Sequence, residues 1–274
     1  MNDPRLTPAR SDVAAARLQG KVDAARFVEA QPRQVRVGAS VLPEAPSFVA
    51  RLETQLLYGE VFDVYADDAD GWVWGQARLD NYVGYARADS FDPEIMPSTH
   101  RVAVLRTLVF PEPDKKSQPP SPLSLNAKLR IVAHENGFAG LARGGWVYAA
   151  HLAPIDARVD DWVKSAELFV GQPYLWGGKD SSAVDCSGLV QSALETAGVS
   201  APRDADMQEA KVGAAIPLDS ALRRGDLLFW PGHVGLMFSP RDLLHANAFH
   251  MQTVIEPLAD AVARMGPPRT IRRL

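Results

Sequence analysis

From residue 31 to about residue 155, apolar and polar positions alternate in short runs, the period of half-buried strands. Val35-Arg36-Val37, Glu53-Thr54-Gln55-Leu56-Leu57-Tyr58, Val61-Phe62-Asp63-Val64-Tyr65, Gly71-Trp72-Val73-Trp74-Gly75-Gln76 and Tyr82-Val83-Gly84-Tyr85-Ala86 are predicted strands. Turn residues separate them closely, which predicts a small barrel or sandwich over residues 31–97. Alternation puts about half of Trp72, Trp74, Tyr82 and Tyr85 inside it. Residues 98–155 repeat the theme with Val102-Ala103-Val104-Leu105, Leu129-Arg130-Ile131-Val132, Gly137-Phe138-Ala139-Gly140-Leu141 and Gly144-Gly145-Trp146-Val147-Tyr148. The Pro-rich stretch Pro111 to Pro122 reads as a long loop inside this second barrel, with an interdomain linker as the competing reading. Residues 1–30 are Ala- and Arg-rich, with Val13, Ala16, Leu18 and Val22 loosely periodic. They predict a partly helical extension packed on the body, against the alternative of a mobile tail.

The period changes in the last part of the chain, residues 156–274. Leu189, Val190, Ala193, Leu194 and Ala197 recur at helical spacing, and Gly198 sits where a C-cap glycine is expected. Asp185 and Ser187 are residue types that cap a helix start. Downstream, Gly225-Asp226-Leu227-Leu228-Phe229-Trp230 runs into Pro231-Gly232-His233-Val234-Gly235-Leu236-Met237-Phe238, and the two read as short strands joined at a Pro-Gly turn. Leu243-Leu244-His245-Ala246 is a further short apolar run.

At 274 residues the length predicts two domains of ordinary size, or three small ones. A 46% hydrophobic and 23% charged composition is that of a globular chain. Its net charge of −4 points to neither nucleic acid nor an anionic membrane. No apolar run reaches spanning length, and Asp3, Arg5, Arg10, Asp12 and Arg17 interrupt the first 20 residues. A single cysteine suits a reducing compartment, so a cytoplasmic location is expected. The six histidines form neither H-x-x-x-H nor H-E-x-x-H, and the nucleotide-binding G-x-x-x-x-G-K-[ST] loop is missing. Neither a metal nor a cofactor is expected.

Cys186 falls at or just inside the predicted helix start, where orphan N–H groups and the helix dipole favour an anion. Taken alone, a buried structural thiol is the plainer reading. His233 and His245 on adjacent strand-like runs change the balance. A nucleophilic thiol needs a base within hydrogen-bond reach and a third group to orient that base, and the order Cys, His, polar residue supplies all three. Pairing with His233 predicts a thiolate–imidazolium pair at neutral pH.

Gly171-Gln172-Pro173-Tyr174-Leu175-Trp176-Gly177-Gly178, Asp185-Cys186-Ser187-Gly188-Leu189, Gly225-Asp226-Leu227 and His233-Val234-Gly235 together resemble the NlpC/P60 family of cysteine peptidases, which are papain-like and cleave peptidoglycan stem peptides. The likeness covers roughly residues 156–274. It implies Cys186 as nucleophile, His233 as base, His245 as orienting residue and Tyr174 close to the thiol. Gly71-Trp72-Val73 with Asp80-Asn81-Tyr82-Val83-Gly84-Tyr85 resembles the bacterial SH3 (SH3b) module, and residues 98–155 a more divergent one. The expected fold is therefore α+β: a 1–30 extension, SH3b-like barrels at 31–97 and 98–155, and a papain-like catalytic domain at 156–274.

In one branch of the family, two SH3b modules precede the peptidase, and the first closes the cleft around a free N-terminal amine. That likeness implies a γ-D-glutamyl-L-diamino-acid endopeptidase acting on murein tripeptides or tetrapeptides with a free L-Ala, in cell-wall peptide recycling. Glu60 and Asp204 are the implied carboxylates for the ammonium; a solvated surface Glu is the competing reading for Glu60. Tyr82 or Tyr85 would form an apolar wall, and Trp176, Asp185 and Ser187 would line the cleft, although helix capping alone explains the last two. Arg203 would hold a substrate carboxylate or orient Asp204, with a plain surface ion pair as the alternative. Ala205 stands where the branch often has Ser. Other readings are a secreted hydrolase of the same chemistry, a papain-like amidase or acyltransferase, and a non-catalytic wall-binding scaffold.

Overall fold

The computed structural model describes residues 3–118 and 121–274. The chain divides into two compact units, Met1–Ile155 and Asp156–Leu274.

In the first unit, strands Val83–Arg87, Trp72–Ala77, Val61–Asp67, Gln31–Val35 and Phe91–Asp92 lie side by side in that order. A hairpin, Ala39–Pro43 with Leu52–Leu57, completes the group; its first strand has no counterpart in the sequence reading. Val35, Leu42, Leu56, Phe62, Val64 and Val73 interdigitate as its core. All but Leu42 lie on strands that the alternation predicts.

The opposite face is covered as well. Trp74 packs with Tyr65, Val13 and Ala15 in a second cluster, flanked by half-buried Tyr85. Trp72 is covered by Phe48, with ring centroids 5.2 Å apart. Trp72, Trp74 and Tyr82 are therefore all buried, where simple alternation places about half inside. For Trp74 the cover is the N-terminal segment, which lies over the barrel in extended form. Among the described residues its only helical feature is a single 3-10 turn, Ala16–Leu18, and Ala14–Ala15 pairs with Phe27–Val28. The expected helix does not form: Pro4, Pro8 and Gly20 oppose it, and short isolated helices are marginal in water. Side-chain hydrogen bonds fix the segment instead. Arg10 donates to Asp68 at 2.6 Å and to the Tyr85 hydroxyl at 3.2 Å, and Arg17 donates to Gln76 at 2.7 Å.

The remaining strands of this unit form three small sheets. Arg106–Val109 pairs with Ser121–Ser124, so the Pro-rich stretch is a loop between two paired strands; Pro119 and Pro120 lie outside the described residues. Val102, Leu123, Ala127, Leu129, Ala139 and Val147 form their common core.

Glu60 is no solvated surface group. It is 3% exposed, with Lys128 Nζ 4.0 Å away. Tyr82 is also buried, and its hydroxyl hydrogen-bonds Glu53 at 3.3 Å; Tyr85 is engaged by Arg10.

The turn before Glu60 is tightly constrained. Gly59 has φ +81°, and a Cβ there would lie 2.0 Å from the Lys128 carbonyl oxygen. Left-handed backbone costs an L-residue about 1–2 kcal/mol before the overlap is counted. Gly59→Ala is expected to lower stability by about 2 kcal/mol or more. Urea unfolding followed by tryptophan fluorescence checks this; an unchanged midpoint contradicts it.

Candidate active site

The second unit is built on one six-stranded antiparallel sheet. Its order is Ala214–Ile216, Thr270–Arg273, Leu227–Trp230, His233–Met237, Asp242–Asn247, Gln252–Pro257. Four helices accompany it: α1 (Val163–Glu167), α2 (Cys186–Thr196), α3 (Ala205–Lys211) and α4 (Leu258–Met265). Leu189, Val190, Ala193 and Leu194 of α2 are fully buried, which explains their helical spacing. Asp226 ties the strand turn to the C-terminal strand by accepting from Arg273 Nε and Nη2, each at 2.7 Å.

Cys186 is the first residue of α2 and Asp185 its N-cap. Asp185 Oδ1 accepts from Gly188 N at 2.7 Å, and Oδ2 from Gly177 N at 2.8 Å. Arg203 adds a bidentate pair, Nη1 to Oδ1 at 2.9 Å and Nη2 to Oδ2 at 2.8 Å. Arg203 Nη1 also donates to Ser187 Oγ at 2.9 Å, and Nη2 to the Gly178 carbonyl at 3.1 Å. Gly188 permits the close fit, since a Cβ there would come 2.2 Å from that same carbonyl oxygen. Gln208 Nε2 donates to the Ser187 carbonyl at 2.9 Å.

This network revises three expectations. Arg203 is only 1% exposed, and Asp185 and Ser187 are buried. All three hold the start of α2 rather than line a surface for substrate. Arginine is exposed by default, so the sequence suggested a surface role; here its planar fork is saturated from inside. Lys179, in the loop that leads to Asp185, is buried too. Asp204 follows Arg203 and is half-buried at the N-cap position of α3. Trp176 is 55% exposed.

The predicted catalytic residues come together. The Cys186 sulfur accepts hydrogen bonds from the backbones of Val234 and Ser187, which puts it one residue along the chain from His233. His233 Nε2 lies 2.9 Å from His245 Nδ1, with the two rings edge to face. Nε2 is thus committed to His245, and Nδ1 is the nitrogen available to the thiol. His245 is fully buried. Tyr174 is half-buried beside Cys186 and Asp185; burial, with those two neighbours, pushes its hydroxyl above the usual range and keeps it a neutral phenol.

Three polar residues here escaped the sequence reading. His245 Nε2 is 2.7 Å from Glu256 Oε1 and 3.0 Å from Asn247 Nδ2, and Arg264 bonds Glu256 through both terminal nitrogens, Nη1 to Oε2 at 3.2 Å. The only sequence signal was Glu256 on a polar-apolar run. Its proximity depends on register: His245 opposes Val254, and Glu256 lies two residues further on the same face. His245, His250 and Glu256 also present ligand atoms within 4.8 Å of one another, at a sequence spacing that neither histidine motif covers, with the Arg264 charge against Glu256.

A model described as the NlpC/P60 family matches residues 171–263. The chain belongs to the NlpC/P60 family. A second model, the bacterial dipeptidyl-peptidase SH3 domain, matches residues 42–91. This NlpC/P60 chain is 30% identical over 188 residues to dipeptidyl-peptidase 6 of Lysinibacillus sphaericus, covering 68% of this chain and 66% of that one. It is 29% identical over 220 residues to the γ-D-glutamyl-L-lysine dipeptidyl-peptidase of Bacillus subtilis strain 168, covering 71% and 72%. The chain thus spans about two thirds of the length of the first relative and somewhat more of the second. A crystal structure of an NlpC/P60 family protein from Bacillus cereus superposes with a TM-score of 0.76 over 88% of this chain and 99% of that one. At 20% identity, that likeness speaks for the shared α+β fold.

Burial sets the resting charge of the NlpC/P60 pair. It pushes the Cys186 thiol up to about 12, reinforced by Asp185, and the His233 imidazole down to about 3, reinforced by His245. The thiol is protonated below its value and the imidazole neutral above its own. Both directions favour an uncharged resting pair across the neutral range, against the expected thiolate–imidazolium pair. Iodoacetamide modification of Cys186 is expected to climb steadily above pH 8 with no acidic plateau. A plateau between about pH 4 and 8 would restore the ion pair.

Arg203→Met would strand the buried Asp185 carboxylate and is expected to cost about 3–5 kcal/mol of catalytic-unit stability. Thermal and urea unfolding read the loss, and a change below about 1 kcal/mol contradicts the network.

Proposed function

We propose that the protein is a cysteine endopeptidase that cuts the γ-D-Glu–diamino-acid bond of short murein peptides with a free N-terminal L-Ala. The observation that supports it most is the seating of Cys186: a thiol at a helix start, bonded by the Val234 backbone and followed by the His233–His245 pair. Relatives named γ-D-glutamyl-L-lysine dipeptidyl-peptidase supply the bond, and the accompanying SH3 match supplies the branch.

From a neutral resting pair, His233 Nδ1 takes the thiol proton as the sulfur attacks the γ-carbonyl. The Gly188 and Leu189 N–H groups are occupied by Asp185, which leaves the Cys186 N–H at the helix start for the oxyanion. Losing such a donor typically costs about 10²–10³ in rate. His233 then gives its proton to the leaving amine, and the C–N bond breaks to leave a thioester. Water, deprotonated by His233, hydrolyses the thioester and returns the thiol. His245 holds the ring of His233 throughout.

A buried ammonium needs a carboxylate. Asp204 is the proposed partner on the catalytic unit: it follows Arg203, whose guanidinium touches the residues on both sides of Cys186. The single free cysteine also suits cytoplasmic recycling of wall peptides, and cell fractionation tests that setting.

Mass spectrometry of digests of L-Ala-γ-D-Glu-diaminopimelate is expected to show L-Ala-γ-D-Glu and free diaminopimelate. The N-acetylated tripeptide should be cut at least about tenfold more slowly, and Asp204→Asn should remove most of that preference. Cys186→Ala, folded by circular dichroism, should be inactive. Equal kcat/KM for both peptides would reject recognition of the amine, and turnover by Cys186→Ala would reject the nucleophile.

A further inference from the structure

The two nitrogens of His245 make a tautomer choice that the triad alone leaves open. If His245 carries its proton on Nδ1, it donates to His233 Nε2. His233 must then hold its own proton on Nδ1, facing a thiol it cannot deprotonate. If His245 carries its proton on Nε2, the sense reverses, and His233 presents a basic Nδ1 to the sulfur. The chemistry requires the second arrangement.

Two groups compete for His245 Nε2. Asn247 Nδ2 lies 3.0 Å away. Its amide orientation is fixed, because Asn247 Oδ1 accepts from His250 N at 2.8 Å. An Asn N–H facing Nε2 selects the unproductive tautomer. Glu256 Oε1 lies 2.7 Å away and selects the productive one. Magnitudes decide between them: a hydrogen bond to a charged group contributes about 1.5–3 kcal/mol, a neutral one about 0.5–1.5. The unproductive tautomer would also set a lone pair against carboxylate oxygens in a buried site. Arg264 keeps Glu256 in the charged form that wins this contest, bonding it from α4, and together with His245 it holds that carboxyl below the usual range despite burial.

We propose that Glu256, held by Arg264, is a positioning residue that locks His245 in its Nε2–H tautomer and so keeps His233 Nδ1 basic toward Cys186. It acts through two histidines and does not touch substrate. The proposal rests on the Cys186–His233–His245 reading, but not on the identity of the peptide that is cut.

The test combines ¹⁵N NMR of histidine-labelled enzyme with kinetics. In wild type without substrate, His245 is expected to show a protonated Nε2 and an unprotonated Nδ1. The reverse assignment overturns the proposal with no variant needed. In Glu256→Gln, whose amide serves either tautomer, the Nδ1–H form of His245 should gain population, and kcat should fall about 10–100-fold with KM nearly unchanged. Glu256→Asp, which keeps the charge, should recover part of kcat and the wild-type pattern. A folded Glu256→Gln with wild-type nitrogen shifts and kcat within twofold rejects the proposal. If cleavage of wall peptides fails altogether, the substrate reading falls, while the wild-type tautomer still decides this one.

Discussion

Asp185 and Arg203 meet out of water, and the geometry around Cys186 follows from that contact. The carboxylate caps α2, accepts from the Gly177 backbone and receives both arms of the guanidinium. Desolvating the two charges offsets most of their attraction, so the pair adds little net stability. What it provides is position. The loop carrying Tyr174, the helix start carrying Cys186 and the segment leading to Asp204 all converge on these two side chains. A strained alternative would leave one charge buried without its partner, which confines the site to a narrow set of arrangements.

A second polar chain runs away from the thiol, from His233 through His245 to Glu256 and Arg264. Its members come from two strands, the adjoining edge strand and α4. Each takes its hydrogen-bonding sense from the next, and a group near the surface thereby governs a proton at the sulfur. Fixed charges sit at both ends of Cys186 and His233, while burial pushes the thiol up and the imidazole down, toward their neutral forms.

Much of the catalytic unit was legible in its motifs. Cys186, His233 and His245 stood out because a helix-start thiol and strand histidines form a recognisable order, and Gly188 and Gly235 near them mark close approaches. Arg203 was misjudged because no local pattern distinguishes a buried arginine from an exposed one. Glu256 was missed because its partner lies across a strand pair whose register only folding reveals. The Ala-rich N-terminal segment suggested a helix, yet it gains more by lying extended over Tyr65 and Trp74. That same coverage buries aromatics which alternation alone would leave half in solvent.

The protonated state of the sole cysteine has a consequence for oxidative life. Peroxides and disulfides react with thiolates, and a neutral thiol shielded from water is a poor target for either. Most cysteine hydrolases keep a standing thiolate and accept the risk of sulfenic acid formation. In the proposed reaction Cys186 becomes an anion only while it is forming a bond to carbon. A buried, protonated Cys186 would keep its reactivity in a form that ambient oxidants cannot readily consume, in a chain with no second cysteine to repair the damage.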